Sequence, residues 1–471
     1  MGILQNSIII LCFSILFAWN FYDKGGRIPQ ESTRLENKGA DNMQTKKTNA
    51  TQESLDHGKH PDPIIRAAWK RGLKVLQPSR RQLEHGLELH AHAFACDLFG
   101  FLPNNNVWTK EFIERWNELM NGHVGARELS ERMEIVRGTA ITRDPRAAEE
   151  FCCAIRASGL KCMVQTVAGG KSRQEDISHM ATFQQVCRVL RKTLTQAGSA
   201  DEIREANKSG KLAIVWSVNG PPLVGKLQDL DEEMSWIDTW YNLGVRLMHM
   251  TYNRRNFVGD GCAEPANGGL SELGRDLIRK LNETGIIVDV PHSGRRTTLE
   301  AAQASLKPIM ASHTGAQGVY DHMRCKSDEG LKAIAATGGL VGVNALPDLL
   351  GPEATLNTML DHIDYIAKVA GVEHVGIGSD SCYQQPWPKE VKGYPNARFK
   401  GNTWWGNWKP GNHPLSGKSD EAQKGSLFWT NWPLYTVGLV MRGYSDKDIE
   451  KILGGNFLRV LEANRNQKEV R

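Results

Sequence analysis

From Leu87 onward, short apolar or β-branched runs alternate with longer stretches whose apolar residues recur every three or four positions. The short runs predict strands at residues 87–95, 161–168, 212–220, 245–252, 285–292, 307–314, 338–346 and 374–381. Between them, residues 147–159, 271–285, 328–338 and 356–371 carry the amphipathic pattern of helices, and several close on glycine, a favoured stop just past a helix end. Repeated strand–helix alternation predicts an α/β fold, a (β/α)8 TIM-type barrel. A doubly wound open sheet is the alternative, but no Gly-x-Gly-x-x-Gly turn follows the first run.

Polar residues are unevenly placed on these runs. His90, His92, Asn219, Tyr252, His292, His313 and Asp380 fall at or near the C-terminal ends, which in a barrel converge on one mouth. In LELHAHAFA, residues 87–95, the two-residue period of a strand puts His90 and His92 on one face. A buried histidine can be satisfied by backbone carbonyls, yet neutral imidazole is also the commonest metal ligand. His90, His92, His292, His313 and Asp380 on one rim predict a metal site. Imidazole with carboxylate suits Zn2+ better than Mg2+ or Ca2+. Zinc with an open position lowers the pKa of its water to about 7, so metal-assisted hydrolysis of a carbonyl–nitrogen or carbonyl–oxygen bond is expected.

Composition narrows the setting. Hydrophobic content of 40% and charged content of 24% over 471 residues are those of a globular protein. A net charge of +5, with no basic stripe interleaved with aromatics, gives no reason to expect nucleic acid. Nine scattered cysteines without a Cys-x-x-Cys pair exclude a disulfide framework or zinc ribbon. Residues 7–22 are nearly all apolar, short of the roughly 20 a bilayer span needs, and no Lys or Arg precedes them. Residues 1–23 therefore read as a signal peptide or an uncleaved anchor. Both imply export, with the protein membrane-anchored or periplasmic, and the membrane touched only through this segment. Residues 24–60, polar and poor in aromatics, read as a disordered linker, leaving 61–471 for the barrel. Residues 382–432 hold six of the thirteen tryptophans, in a loop expected over the mouth that either binds ligand or packs onto the barrel.

DVPHSG (289–294), ASHTGA (311–316), VGIGSDS (375–381), GGNFLRVLE (454–462) and the stretch 250–278 occur in an order that resembles the membrane dipeptidase (renal dipeptidase) family, in particular a bacterial subgroup, from Gly86 to Glu462. That family is a branch of the metal-dependent amidohydrolase-like barrels. The resemblance implies two zinc ions between a first-strand His-x-Asp, a bridging Glu on the third strand, histidines on the fifth and sixth, and an Asp on the eighth. Carried over, these are His90, His292, His313 and Asp380, with Arg324 as the clamp for the substrate carboxylate. Three positions depart from the family: His92 stands for the Asp, Asn219 for the bridging Glu, and Tyr252 for a fourth-strand His that stabilises the tetrahedral intermediate. A neutral amide is a poor bridge between dications, so one tightly held zinc is expected, on His90, His92 and Asp380. His292 and His313 would complete its shell, hold a weaker second metal, or handle protons. A phenol at Tyr252 can still donate to an oxyanion. Asp380 is then ligand and proton shuttle.

The leading expectation is a zinc-dependent dipeptidase. Alternatives are the same barrel hydrolysing another small amide or lactone, and a catalytically inactive binding module of the cell envelope. The substrate is a dipeptide or other small molecule, and the resemblance further implies a homodimer.

Overall fold

A computed structural model describes residues 55–102, 108–122, 140–170, 172–223, 229–386, 388–391 and 425–466, with Leu129, Arg132, Met133 and Val136. The hydrophobic segment 7–22, the linker as far as residue 54, and Trp387, Trp404, Trp405 and Trp408 lie outside the described residues. Among the described residues no helix is long and apolar enough to cross a membrane.

Among the described residues, nine strands form one parallel sheet: β1 Cys96–Gly100, β2 Cys162–Ala168, β3 Leu194–Gln196, β4 Leu212–Val218, β5 Val245–His249, β6 Ile287–Asp289, β7 Met310–Thr314, β8 Leu340–Val343 and β9 Val375–Ile377. They pair in the order β1-β2-β4-β5-β6-β7-β8-β9, while the short β3 pairs with the beginning of β4. Residues just past β9 close the ring on β1: the Asp380 amide donates to the Phe99 carbonyl at 2.7 Å, and the Phe101 amide to the Ser381 carbonyl at 3.0 Å. The result is the expected barrel. Its interior is filled by Leu98, Val164, Val215, Leu247, Ile287, Met310 and Leu340, with Phe457 and Leu461 of the last helix packed against them. A larger apolar layer lies between the sheet and its surrounding helices.

Helices stop where glycine relieves the backbone. Gly159, Gly285 and Gly371 follow the helices Pro145–Ser158, Glu272–Thr284 and Leu356–Ala370 with φ of 67°, 98° and 98°.

One predicted strand is a helix. Residues Arg80–His92 form it, entered through a capping box between Ser79 and Gln82. Its buried positions, Gly86, Leu87 and His90, are spaced three and four apart, and that helical spacing overrides the local alternation of the His-Ala-His run. A Cβ at Gly86 would lie 2.7 Å from the Val437 Cα, so only glycine lets the helix Trp432–Met441 pack this closely. The true first strand begins four residues beyond His92. Residues 55–60, read from the sequence as linker, belong to the described unit, where Leu55 and His57 are buried.

Candidate functional site

Strand direction brings most of the chosen residues to the C-terminal end of the sheet. The His292 Nε2 lies 3.0 Å from the His313 Nε2. Each ring is held from behind: the His292 Nδ1 donates to the Asn253 Oδ1 at 2.6 Å, and the His313 Nδ1 lies 2.9 Å from the Ser312 Oγ. Both imidazoles stay neutral, their pKa driven well down by burial first and then by the charge of Arg324. Tyr252 stacks on His292 with ring centres 4.1 Å apart.

Arg324 is 1% exposed and braces the strand ends. Its guanidinium donates to the carbonyls of Pro291 and His313, the latter at 2.8 Å. Lys326, also buried, donates to the Ser293 carbonyl at 2.9 Å and the Thr298 hydroxyl at 3.1 Å. Burial and then Arg324 push its pKa down to about 7. Arg324, joined by a partly protonated Lys326, makes this wall of the mouth electropositive.

Asp380 follows β9 with φ of 52°, a left-handed conformation that costs a non-glycine residue about 1 kcal/mol. The Phe99 carbonyl holds it there. Burial, with Asp97 adding and Arg324 opposing, pushes its carboxyl up to about 7. Tyr252 keeps 43% of its surface accessible, but its phenol sits near enough to the site that desolvation, then Asp380, pushes it up to about 12.

His90 and His92 do not join this group. His90 sits inside the helix–barrel core, its Nδ1 2.7 Å from the Thr436 Oγ1 and its Nε2 2.9 Å from the Ser158 carbonyl. With both nitrogens taken and no exposure it is a core histidine, and burial pushes its pKa down to about 4. His92 ends the same helix, exposed. The expectation that these two bind the metal fails because the segment is helical and precedes the first strand. The Asn219 Oδ1 accepts from the Thr166 Oγ1 at 3.0 Å just past β4.

Several residues went unmarked in the sequence. At the end of β1 stand Phe99 and, just beyond, Phe101. The Phe99 ring stacks on His313 at 3.8 Å and lies 5.4 Å from His249. His249 and Asp289, both fully buried, approach at 3.1 Å from the ends of β5 and β6, out of line for a hydrogen bond. Asp97 is structural: it accepts from the Ser379 amide at 2.8 Å and the Trp429 Nε1 at 3.1 Å, tying β1 to the chain past β9 and fixing Trp429 as a packing residue. Trp432 is likewise buried. The adjacency of DVPHSG to a strand end could have marked Asp289; nothing local marks Phe99.

A metal centre needs three or more donors. Among the described residues no three His, Cys, Asp or Glu side chains gather to hold one. The imidazole pair supplies two, and where the family resemblance calls for a first-strand His-x-Asp, β1 presents aromatic rings. The side chains in place do not fit a pair of metal ions.

A family model, "Membrane dipeptidase (Peptidase family M19)", matches residues 116–396, more than half of the chain. The chain is 24% identical over 346 residues to dipeptidase tcpJ of Claviceps purpurea, covering 72% of this chain and 69% of that one. It is 37% identical over 170 residues to an uncharacterized dipeptidase of Schizosaccharomyces pombe, covering 34% of this chain and 42% of the relative. A crystal structure of an amidohydrolase from Pseudomonas aeruginosa shares the fold, with a TM-score of 0.59 and 24% identity over 80% of this chain and 98% of that one.

Proposed function

This chain belongs to the membrane dipeptidase family, peptidase family M19, and so to the metallopeptidase hydrolases, and on that footing we propose that its barrel mouth binds a dipeptide and hydrolyses the amide bond. The observation that carries the reading is the cluster of His292, His313, Arg324, Tyr252 and Asp380 at the C-terminal end of the barrel of a chain matched to that family. The electropositive wall of Arg324 and Lys326 suits the substrate's carboxylate. Tyr252, protonated at neutral pH, donates to the amide oxygen as it gains charge. Asp380, poised near neutrality, takes a proton from water and returns it to the leaving amine.

The family implies a metal, whose chemistry is to activate water. Two imidazoles are too few to hold one firmly. His292 and His313 would be its nitrogen donors, a chemistry that favours zinc or a similar borderline cation. Residues 1–23 would export the chain or anchor it in a membrane, residues 24–54 would tether it, and pairing into a homodimer is part of the same reading.

A second reading has its own observation. Phe99 and Phe101 at the end of β1, with Asn219 in place of a carboxylate, favour a mouth that binds a small amide without cleaving it. A panel of L-L and L-D dipeptides, assayed with and without chelator alongside metal analysis, separates the two. Turnover that chelator abolishes supports the hydrolase. Saturable binding of a dipeptide without turnover establishes the binding module and sinks the hydrolase.

A further inference from the structure

The opposite end of the barrel carries a second concavity of about 550 Å³, at the N-terminal ends of β2 and β4. Lys59, Arg156, Lys161 and Lys211 line it, and Asp56 is the one carboxylate among its lining residues. Asp56 is already occupied, accepting from the Gly58 amide at 3.0 Å as the cap of a helical turn. Arg156 is paired with Glu149 at 2.5 Å, whereas Lys59, Lys161 and Lys211 form no ion pair among the described residues.

Lysines on an open surface are ordinary. These differ because the surface is concave and one of them is withdrawn from water. Lys161 is partly buried with no carboxylate opposite, and burial alone lowers its pKa. Its backbone is fixed on three sides: its amide donates to Ala95 at 2.8 Å, and its carbonyl accepts from Ala213 at 3.0 Å and the Asn207 side chain at 2.9 Å. Lys211 stands just before β4, whose residues are in register with those of β2 beside Lys161. A rigid sheet edge thus holds two ammonium groups toward one hollow, and Lys59 enters from the N-terminal turn. Thr193, Asn207 and His60 add neutral hydrogen-bonding groups. Three lysines without an ion pair against one carboxylate leave the recess net positive, which raises its potential and attracts a multivalent anion.

We propose that this basal cavity binds a small multivalent anion bearing phosphoryl or carboxyl groups, at a site separate from the mouth. The cavity lies where the strands begin and the mouth where they end, so an occupant here need not compete with a dipeptide.

Calorimetric titration of the full chain with inorganic pyrophosphate and, separately, with citrate tests this. Wild-type protein is expected to bind at least one of them with a dissociation constant at or below about 1 mM. Lys161→Met with Lys211→Met, which keeps the packed stems, should weaken binding about tenfold or more, and Lys211→Glu alone, made because the double variant could fail to fold, should weaken it in the same direction. Tyr252→Phe, at the mouth, should leave it unchanged. Preference for pyrophosphate or for citrate identifies the headgroup. Absence of binding at about 5 mM of either probe, equal affinity in Lys211→Glu, or loss of binding in Tyr252→Phe overturns the proposal.

Discussion

On the β5–β7 side of the mouth, polar groups are oriented from behind: Asn253 holds His292, Ser312 holds His313, and Arg324 is braced by two carbonyls. On the β1–β4 side, the corresponding strand ends present Phe99, Phe101 and the amide of Asn219. Both sides are built on the same parallel sheet with the same strand direction, so the architecture offers equivalent positions to each. The difference lies in the side chains alone. A barrel guarantees where functional groups can converge, and leaves their chemistry to single residues at strand ends. Here the imidazoles face an aromatic wall, and Phe99 stacked on His313 takes the side from which further donors would approach.

The most severe test replaces the wall. Phe99→His with Phe101→Asp and Asn219→Glu should create a zinc site with a dissociation constant near or below about 1 μM, equivalent to about 8 kcal/mol, read by metal analysis and competition with a chromogenic chelator. Wild type should hold less than one equivalent, with a melting temperature indifferent to chelator. Two firmly bound ions in wild type would erase the contrast between the sides.

On the polar side, Arg324→Ala should lower the unfolding free energy by about 3 kcal/mol in urea titration, because the two carbonyls it braces are left buried and unpaired. A change under about 1 kcal/mol would mean that the charge does not organise this wall.

His90 serves as a control outside the mouth, buried but not functional. Its pKa in the folded state, about 4, is below the ordinary 6.5, so the unfolded chain binds the proton first as pH falls. Its stabilising contribution is complete above about pH 6.5 and is lost progressively toward pH 4, amounting to about 3 kcal/mol over that interval. Urea titrations of wild type and His90→Asn across this range should show a shallower pH slope in the variant. Parallel slopes would refute the assignment.

The mildest change is Tyr252→Phe. With 43% of the residue accessible, stability should move by no more than about 0.5 kcal/mol, while turnover or dipeptide affinity falls about tenfold through loss of the phenol donor. Unchanged kinetics and affinity would remove Tyr252 from the site.

The repeating strands were legible because a buried parallel strand needs a compact apolar run, and Cys162–Ala168 and Leu212–Val218 supply one with little ambiguity. Their predicted C-terminal residues, such as Asn219, Tyr252 and His292, lie beyond the hydrogen-bonded ladder, in turns that carry side chains into the mouth. His292, His313, Tyr252 and Asp380 could be picked out because each stands at or near the C-terminal end of such a run, whereas Arg324 came only through the family resemblance. His90 and His92 were misplaced because five residues of alternation fit a strand as well as a helix end. The capping box at Ser79, lying eleven positions before His90, was the local signal that decides between them.

What the amino-acid order determined by itself is the alternation of strand and helix, the parallel barrel that follows, and the end of it at which polar residues collect, since each rests on short-range periodicity. Which histidines meet was decided only by tertiary structure. Thr436, 346 positions from His90, claims one of its nitrogens, and the Phe99 ring reaches His313 across the closed sheet. Such contacts arise from the closure of the ring and the packing of helices upon it, and no window of local sequence contains both partners.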